Sequence, residues 1–419
     1  MPNQEPVTAA IKQFLAQNSS SLPTSYLVAL SGGADSVALL HALSAHIPKE
    51  KLRAVYIDHQ LQSASSEWAD SNRELCRSLG VDFDVVSVDV QSSGNLEAEA
   101  RSSRYDAFLN LLQEGEHLVT GHHQDDQAET LLLQLFRGAG PKGLSAMPEC
   151  IEFGCGYHAR PLLQVSKDDI LRYCEQHQLA FVEDPTNKDL QHRRNFLRHK
   201  VFPLLQQEWP QLKSTLARAS ELQAGTQKIV ETVAAEDFDT CYLEEPRGLS
   251  VDRVKQLPLE RQSNLLRYWL QTLDQEMPSQ KVLEQVRAQM LQAEQDMQPS
   301  INFSGGSIKR FQGSLVWVSL QPKTIAVNEM PWDGIKDLKL DHHVMISQHW
   351  LQENHPELVG ESLLVTTRCG GEKFRKRNAE HTTSLKNYFQ EHKIPSWQRD
   401  HVLLIVLNGE VRAIYNEHL

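Results

Sequence analysis

What this chain lacks narrows it before any motif is read. Its six cysteines are scattered through 419 residues, and no C-x-x-C pair occurs. Zinc or iron–sulfur ligation and a disulfide framework are therefore poor readings, and buried thiols are the simpler one. No apolar run is long enough to span a bilayer. The first residues carry no basic segment followed by an apolar core, so a cytoplasmic protein without membrane association is expected. Positive charge is in deficit: 42 Lys and Arg stand against 54 Asp and Glu, a net charge of -12. That argues against nonspecific coating of nucleic acid but leaves room for an enzyme with local basic patches. The G-x-x-x-x-G-K-[ST] phosphate loop is missing, and so are internal repeats and low-complexity tracts.

What is present centres on residues 27–40. Residues 27–30 are apolar and predict a short buried strand. Ser31-Gly32-Gly33-Ala34-Asp35-Ser36 follows, and an apolar run then starts a helix. A strand turning into a helix through two glycines leaves backbone N–H groups free at the helix N-terminus, a site for phosphate or pyrophosphate. Ser31 and Ser36 add hydroxyl donors. The carboxylate of Asp35 repels phosphate unless a cation lies between them, which points to Mg²⁺ bridging the two. An ordinary glycine turn is the plain alternative. The hexapeptide matches S-G-G-x-D-S, and on those residues the stretch resembles the PP-loop ATP pyrophosphatases, which cut ATP between its α and β phosphates.

Strand and helix patterns alternate through the first half, as in a parallel α/β sheet. Residues 52–59 read as a second strand ending in Asp58-His59, residues 66–79 as a helix and 83–88 as a third strand. A helix from residue 95 carries Arg101 and Arg104 one turn apart, either to hold phosphate or to pair with Glu97 and Glu99. Residues 117–121 form a fourth strand running into His122-His123-Gln124-Asp125-Asp126-Gln127-Ala128-Glu129-Thr130. Spacing places His122, Asp126 and Glu129 on one face of the next helix, at the strand ends where ligands gather. The bland reading is an acidic first turn suited to the helix dipole. His122 and Asp126 offer two ligands for a metal, but with no cysteine or third histidine nearby zinc is a poor reading. Gly138, Gly140, Pro141 and Gly143 suggest a mobile loop, Arg160-Pro161-Leu162-Leu163 a short strand, and residues 167–177 an amphipathic helix. Residues 192–200 hold Arg193, Arg194, Arg198 and Lys200 with His192 and His199, either a solvated helix face or a basic patch.

The second half reads as a long connecting helix over 204–236, helices over 251–290, strand-like residues 301–320 and a linker over 322–331. The final segment alternates strands with one helix: a strand at 363–367, a basic glycine loop at 368–377, a helix at 385–391, a turn at 394–397 and a strand at 402–407. Asn408-Gly409 signals a hairpin into 411–415.

Several motifs together resemble one family, the tRNA(Ile)-lysidine synthetases. They are Ser31 to Ser36, Asp58-His59, the E-x-x-A-R-x-x-R-Y helix from Glu97 to Tyr105, and Gly121 to Thr130. Glu183-Asp184-Pro185-Thr186-Asn187 and Arg194-Asn195-Phe196-Leu197-Arg198 complete the set. Gln60 departs from the pattern, since glycine is common there. The resemblance continues through 251–290, Arg368 to Glu372, and Leu385-Lys386 to Trp397. It implies an α/β parallel-sheet PP-loop domain, adenine nucleotide alpha hydrolase-like, catalytic and ATP-binding over 1–205. A mainly helical tRNA-binding middle domain over 206–322 and a small α+β tRNA-binding C-terminal domain over 330–419 would follow.

The implied reaction is ATP-dependent ligation of free L-lysine to C2 of the wobble cytidine in tRNA(Ile) with a CAU anticodon. It proceeds through an adenylated cytidine and yields AMP and pyrophosphate. By resemblance, Ser31, Gly32, Gly33, Ala34, Asp35 and Ser36 bind ATP phosphate, Asp35 holds Mg²⁺, and Arg101 contacts the α-phosphate or adenylate. His122 and Asp126 act at the reacting base and lysine, with the proton acceptor left open between them. Arg104, Arg194 and Arg198 contact tRNA or nucleotide, and Lys373, Arg375, Lys376 and Arg377 contact tRNA. A homodimer is a candidate assembly. The alternatives are a PP-loop tRNA 2-thiolation enzyme, disfavoured by the missing cysteine pairs, and a nonenzymatic nucleotide-binding regulator.

Overall fold

The computed structural model describes residues 5–17, 25–60, 65–89, 96–184, 186, 189–292, 299–320, 329–341, 344–368, 370–374, 382–392, 394–399 and 402–415. The chain divides into two compact units, Met1–Thr232 and Val233–Leu419.

The first unit is built on α1 (Pro6–Gln17), β1 (Tyr26–Ala29), α2 (Ala34–Ser44), β2 (Leu52–Asp58), α3 (Ser65–Leu79), β3 (Asp82–Ser87), α4 (Leu96–Leu111) and β4 (His117–Val119). Then come α5 (Gln124–Phe136), α6 (Pro141–Leu144), β5 (Cys150–Phe153), β6 (Gly156–Ala159) and α7 (Lys167–Gln176). Its sheet runs β3-β2-β1-β4-β6-β5. Every neighbouring pair is parallel except the β5–β6 hairpin. Side chains alternate along β1 as the pleat requires. Tyr26, Val28 and Leu30 join the core formed with α1, α2, α3 and α7, while Leu27 faces α4 through Ala107, Phe108 and Leu112. Such strands are apolar on both sides because helices cover both faces. From β1 the chain moves outward to β2 and β3, then returns to place β4 on the other side of β1. The strand order therefore reverses between β1 and β4, which opens a crevice at their carboxyl ends.

After α7 come α8 (Arg193–Phe196), a π-helix (Leu197–Val201), α9 (Phe202–Gln206) and the long α10 (Leu212–Cys241). Pro210 breaks the periodic stretch 204–236, so the long helix starts later than its pattern implied and runs further. Ala128 and Leu132 of α5 pack on Leu197 and Phe202. That contact brings the basic segment against the acidic start of α5.

The second unit begins within α10, at Val233, and continues with β7 (Tyr242–Leu243), β8 (Gly248–Ser250), α11 (Val251–Gln256), α12 (Leu259–Thr272), α13 (Gln280–Val286) and a π-helix (Arg287–Leu291). Next are β9 (Ser300–Phe303), β10 (Gly306–Phe311) and β11 (Ser314–Ser319). The helical stretch 251–290 is thus three helices and a π turn, interrupted at Pro258 and Pro278. The strand-like stretch 301–320 folds into three strands, which complete a five-stranded sheet ordered β7-β8-β11-β10-β9. Trp269, Leu265, Leu283 and Val286 pack against Leu249, Ile308 and Leu315 of that sheet.

The last segment holds β12 (Met330–Trp332), β13 (Leu338–Asp341), β14 (Val344–Ile346), α14 (Gln348–Asn354), β15 (Leu363–Thr367), β16 (Lys373–Phe374) and β17 (Thr383–Ser384). It ends with α15 (Leu385–Glu391), α16 (Ser396–Arg399), β18 (Leu403–Leu407) and β19 (Glu410–Tyr415). The sheet order is β12-β15-β18-β19-β16-β17. Asn408 and Gly409 turn β18 into β19 with φ of 52° and 78°, the I′ hairpin the dipeptide signals. Two readings are corrected here: Met330–Trp332 is a strand where a linker was expected, and the turn at 394–397 gives way to helix α16. No helix among the described residues is long and apolar enough to cross a membrane.

Candidate active site

A cleft of about 290 Å³ lies at the carboxyl ends of β1 and β4. It is lined by Ser31, Asp35, Ser36, Arg101, Arg104, His122 and Asp126, so residues from three separate motifs converge there. The remaining wall adds Tyr56, His59, Trp68, Tyr105, Thr120 and Asp184. Tyr105 closes the motif that begins at Glu97, whereas Tyr56, Trp68 and Thr120 carry no local signal and reach the wall only because β2, α3 and β4 come together around the cleft.

The loop between β1 and α2 follows from its glycines. Gly32 has φ +87°, a conformation that side chains disfavour, and a Cβ there would lie 3.1 Å from Asn72 Oδ1. Gly33 is the N-cap of α2 and supplies no capping side chain, so the helix's positive end stays open to an anion. Ser36 Oγ donates to Gly33 O at 3.0 Å and lies 3.2 Å from Ser31 Oγ, which orients both hydroxyls. Gly121 is demanded by a close approach: a Cβ would fall 2.8 Å from the carbonyl carbon of Asp35. The loop after β4 rests directly on the phosphate loop.

Asp35 has a protein cation that sequence reading missed. Lys167 Nζ donates to Asp35 Oδ1 at 2.6 Å, and His123 Nε2 lies 3.6 Å from the same oxygen. Lys167 opens α7, and nothing local in its sequence ties it to residue 35. Its backbone amide donates to Asp125 Oδ1 at 3.2 Å, and Asp125 also pairs with Lys213 of α10. Asp35 Oδ2 has no protein partner among the described residues. A divalent ion that takes one carboxylate oxygen and completes its shell with phosphate and water fits that arrangement. No group of three or more His, Cys, Asp or Glu suited to a metal occurs among the described residues.

His122 does not share a helix face with Asp126 and Glu129, as its spacing suggested. Helix α5 begins at Gln124 with His123 as N-cap, so His122 lies in the preceding loop. Asp126 Oδ2 accepts the His123 backbone amide at 3.1 Å and lies 3.4 Å from His123 Nε2. Burial pulls the Asp126 carboxyl upward, but His123, His122, Arg194 and that amide outweigh it, leaving the pKa below its ordinary value. Glu129 is buried, and its pKa is raised because burial outweighs its pairing with Arg198.

Arg194 and Arg198 are engaged with the protein. Arg198 Nε and Nη2 donate to the two Glu129 oxygens at 2.7 and 3.0 Å, and Nη2 reaches Asp126 Oδ1 at 3.3 Å. Arg194 Nη2 donates to Thr130 Oγ1 at 2.8 Å. Arg104 Nε donates to His59 Nε2 at 3.2 Å, and Arg101 lies over the Tyr105 ring at 4.9 Å. Gln60 takes φ 53°, with its amide donated to Asp58 Oδ1 at 2.8 Å. It thus adopts the turn that glycine adopts more readily.

Two neighbouring segments also differ from their patterns. The glycine stretch contains helix α6, and Gln127 ties the chain beyond it through Met147 N and O at 2.9 and 2.8 Å. The strand expected at Arg160 lies one step earlier, at Gly156–Ala159, because Pro161 offers no amide to a ladder. Lys373 is exposed on β16. Arg375, Lys376 and Arg377 lie outside the described residues, as does the side chain of Glu97.

The sheet order, the switch-point cleft and the glycine turn define an ATP-using enzyme of the PP-loop class, and residues 3–205 match the family model described as a PP-loop domain. Residues 249–316 match the TilS substrate binding domain and 363–416 the TilS substrate C-terminal domain. The chain is 35% identical over 399 residues to tRNA(Ile)-lysidine synthase from Coxiella burnetii, covering 93% of this chain and 88% of that one. It is 36% identical over 405 residues to the enzyme of the same name from Alkalilimnicola ehrlichii, covering 93% and 89%. Among solved structures, U34-tRNA thiolase NcsA from Methanococcus maripaludis with its [4Fe-4S] cluster matches 52% of this chain and 78% of that chain. Its identity is 17% and its TM-score 0.43. The chain belongs to the tRNA(Ile)-lysidine synthase family, ATP-dependent ligases built on the PP-loop domain. The thiolation and regulator alternatives are not favoured by these matches.

Proposed function

We propose that this chain ligates free L-lysine to C2 of the wobble cytidine of tRNA(Ile) with a CAU anticodon, at the expense of ATP. The observation that carries this is one cleft holding the phosphate loop, Arg101, Arg104, His122 and Asp126 together. The cytidine O2 attacks the α-phosphorus of ATP, and the bond to pyrophosphate breaks. The lysine ε-amine then attacks C2, and AMP leaves with the oxygen that was O2. Adenylation turns a poor leaving oxygen into a good one, and the protein contributes positioning and charge neutralisation.

In this reading residues 31–36 hold the phosphates with the loop amides and the Ser31 and Ser36 hydroxyls. Arg101 and Arg104 approach from α4 and neutralise the α-phosphate region. Mg²⁺ held by Asp35 would neutralise phosphate charge. His122 and Asp126 serve the base and the incoming lysine, and Arg198 with Arg194 holds Asp126 in place through Glu129. The target base must leave its stack in the anticodon loop to enter the cleft. A catalytic domain over 1–205 followed by tRNA-binding domains over 206–322 and 330–419 suits that substrate, as does a cytoplasmic location. The test is mass spectrometry of tRNA nucleosides after incubation with ATP and lysine. Lysidine, AMP and pyrophosphate are expected, with full turnover requiring both tRNA and lysine. Turnover without tRNA, or with glutamine or a sulfur donor in place of lysine, overturns it.

A further inference from the structure

Behind the cleft, three buried side chains lead to His122. His158 sits on β6 in register with Leu118 of β4, and Thr120 and Arg160 lie just past the ends of those strands. Arg160 Nη2 is 2.9 Å from His158 Nδ1, His158 Nε2 is 2.9 Å from Thr120 Oγ1, and Thr120 Oγ1 is 2.7 Å from His122 Nδ1.

The proton positions follow from what each group can do. Arginine only donates. His158 Nδ1 is therefore an acceptor, and the ring carries its proton on Nε2, from which it donates to Thr120. The Thr120 hydroxyl has one proton of its own to give. Among the described residues its other partner is His122 Nδ1, so it donates there. His122 then holds its proton on Nε2, the nitrogen left to the cleft that the ring lines.

We propose that Arg160, His158 and Thr120 are positioning residues that lock His122 as a neutral Nε2–H donor, so that it gives a hydrogen bond to a substrate oxygen and does not take the lysine proton. This rests on the assignment of the cleft to the ligation reaction. The relay is rigid at its far end. Arg160 is 6% exposed and His158 0%, and Arg160 Nη1 donates to Pro148 O at 2.7 Å while the guanidinium also bonds Tyr105. The groups facing His122 are Asp126 on α5, Arg160 and His158 at β6, Arg101 on α4 and Arg194 on α8. Only Asp126 favours a cationic ring. Burial and the three arginines oppose it and push His122 down to about 4, while burial, Arg160, His122 and Arg101 push His158 down to about 3. A neutral imidazole that donates is a known way to polarise an oxygen without delivering a full charge.

The test is nitrogen-resolved spectroscopy of ¹⁵N-histidine in the full chain, with His122 assigned by loss of its signals in His122→Gln. The expected result is an unprotonated Nδ1, a protonated Nε2, and no titration of this ring between about pH 5.5 and 8. Thr120→Val keeps the shape and removes the hydroxyl. It is expected to mix the two tautomers and lower kcat on the order of tenfold with the KM for ATP nearly unchanged, and Thr120→Ser is expected to restore both. A wild-type ring protonated on Nδ1, or titrating near its ordinary value, overturns the proposal. So does a Thr120→Val enzyme with wild-type kcat. The wild-type spectrum decides the tautomer even if that variant does not fold. It is read without turnover, so a failure of the ligation reading would be recognised separately.

Discussion

At the scale of single residues, contacts distant in sequence set the chemistry. Gly121 exists because the carbonyl of Asp35 occupies the space of a side chain. Gly121→Ala is expected to push the loop after β4 off the phosphate loop. The cost is about 1–3 kcal/mol of stability with weaker ATP binding, read as a lower melting temperature and a smaller ATP-induced shift. His158 provides a pH prediction. Its folded pKa of about 3 lies below the ordinary 6.5, so as pH falls below about 6.5 the unfolded chain gains a proton that the folded chain refuses. Stability is therefore lost on acidification through that window, by up to about 1.4 kcal/mol per pH unit from this group. His158→Gln can still accept from Arg160 and donate to Thr120. It should shrink the stability difference between pH 7 and pH 5 in urea unfolding; an unchanged difference would show that His158 is not the titrating group.

At the scale of elements, the π-helix Leu197–Val201 and α5 act as a pair. Leu197 packs on Ala128 and Leu132, and that seam carries Arg198 onto Glu129 and Asp126. The sequence places four cations in this segment but cannot say that two of them turn inward, because a basic run on a helix usually faces water. Arg198→Met would leave Glu129, 1% exposed, without its bidentate partner. A loss of about 3–5 kcal/mol is expected, with activity falling as Asp126 loses an anchor. Thermal unfolding and single-turnover assays check this, and a stable, active variant would return Arg198 to a surface role. The amphipathic helix at α7 was legible from its pattern, yet the ion pair from its first residue to Asp35 was not. Periodicity tells which face is buried and leaves open what the helix end meets.

At the scale of the whole molecule, an acidic chain must localise positive charge to bind tRNA. Lys373 and the neighbouring Arg375, Lys376 and Arg377 concentrate it in the terminal segment. Neutralising all four should weaken tRNA binding and flatten its dependence on salt, measured as log affinity against log salt concentration. Lysine-independent ATP binding should be unaffected, and an unchanged salt slope would mean that these residues face only water. The middle segment shows where pattern reading stops. Residues 251–290 were correctly helical, but the five-stranded sheet that completes their core includes two- and three-residue strands at Tyr242–Leu243 and Gly248–Ser250. Strands that short carry no period of their own.

The sequence by itself determined the parallel α/β beginning, the glycine turn at residues 31–36, the Asn408-Gly409 hairpin and the family. Each depends on neighbours in the chain, where steric and hydrogen-bonding rules act directly. The tertiary structure alone decided that Lys167 guards Asp35, that Arg194 and Arg198 face carboxylates, and that His122 stands before its helix with Thr120, His158 and Arg160 behind it. Those relations join residues up to 132 positions apart. They are set by which strands lie side by side, and local pattern carries no record of that.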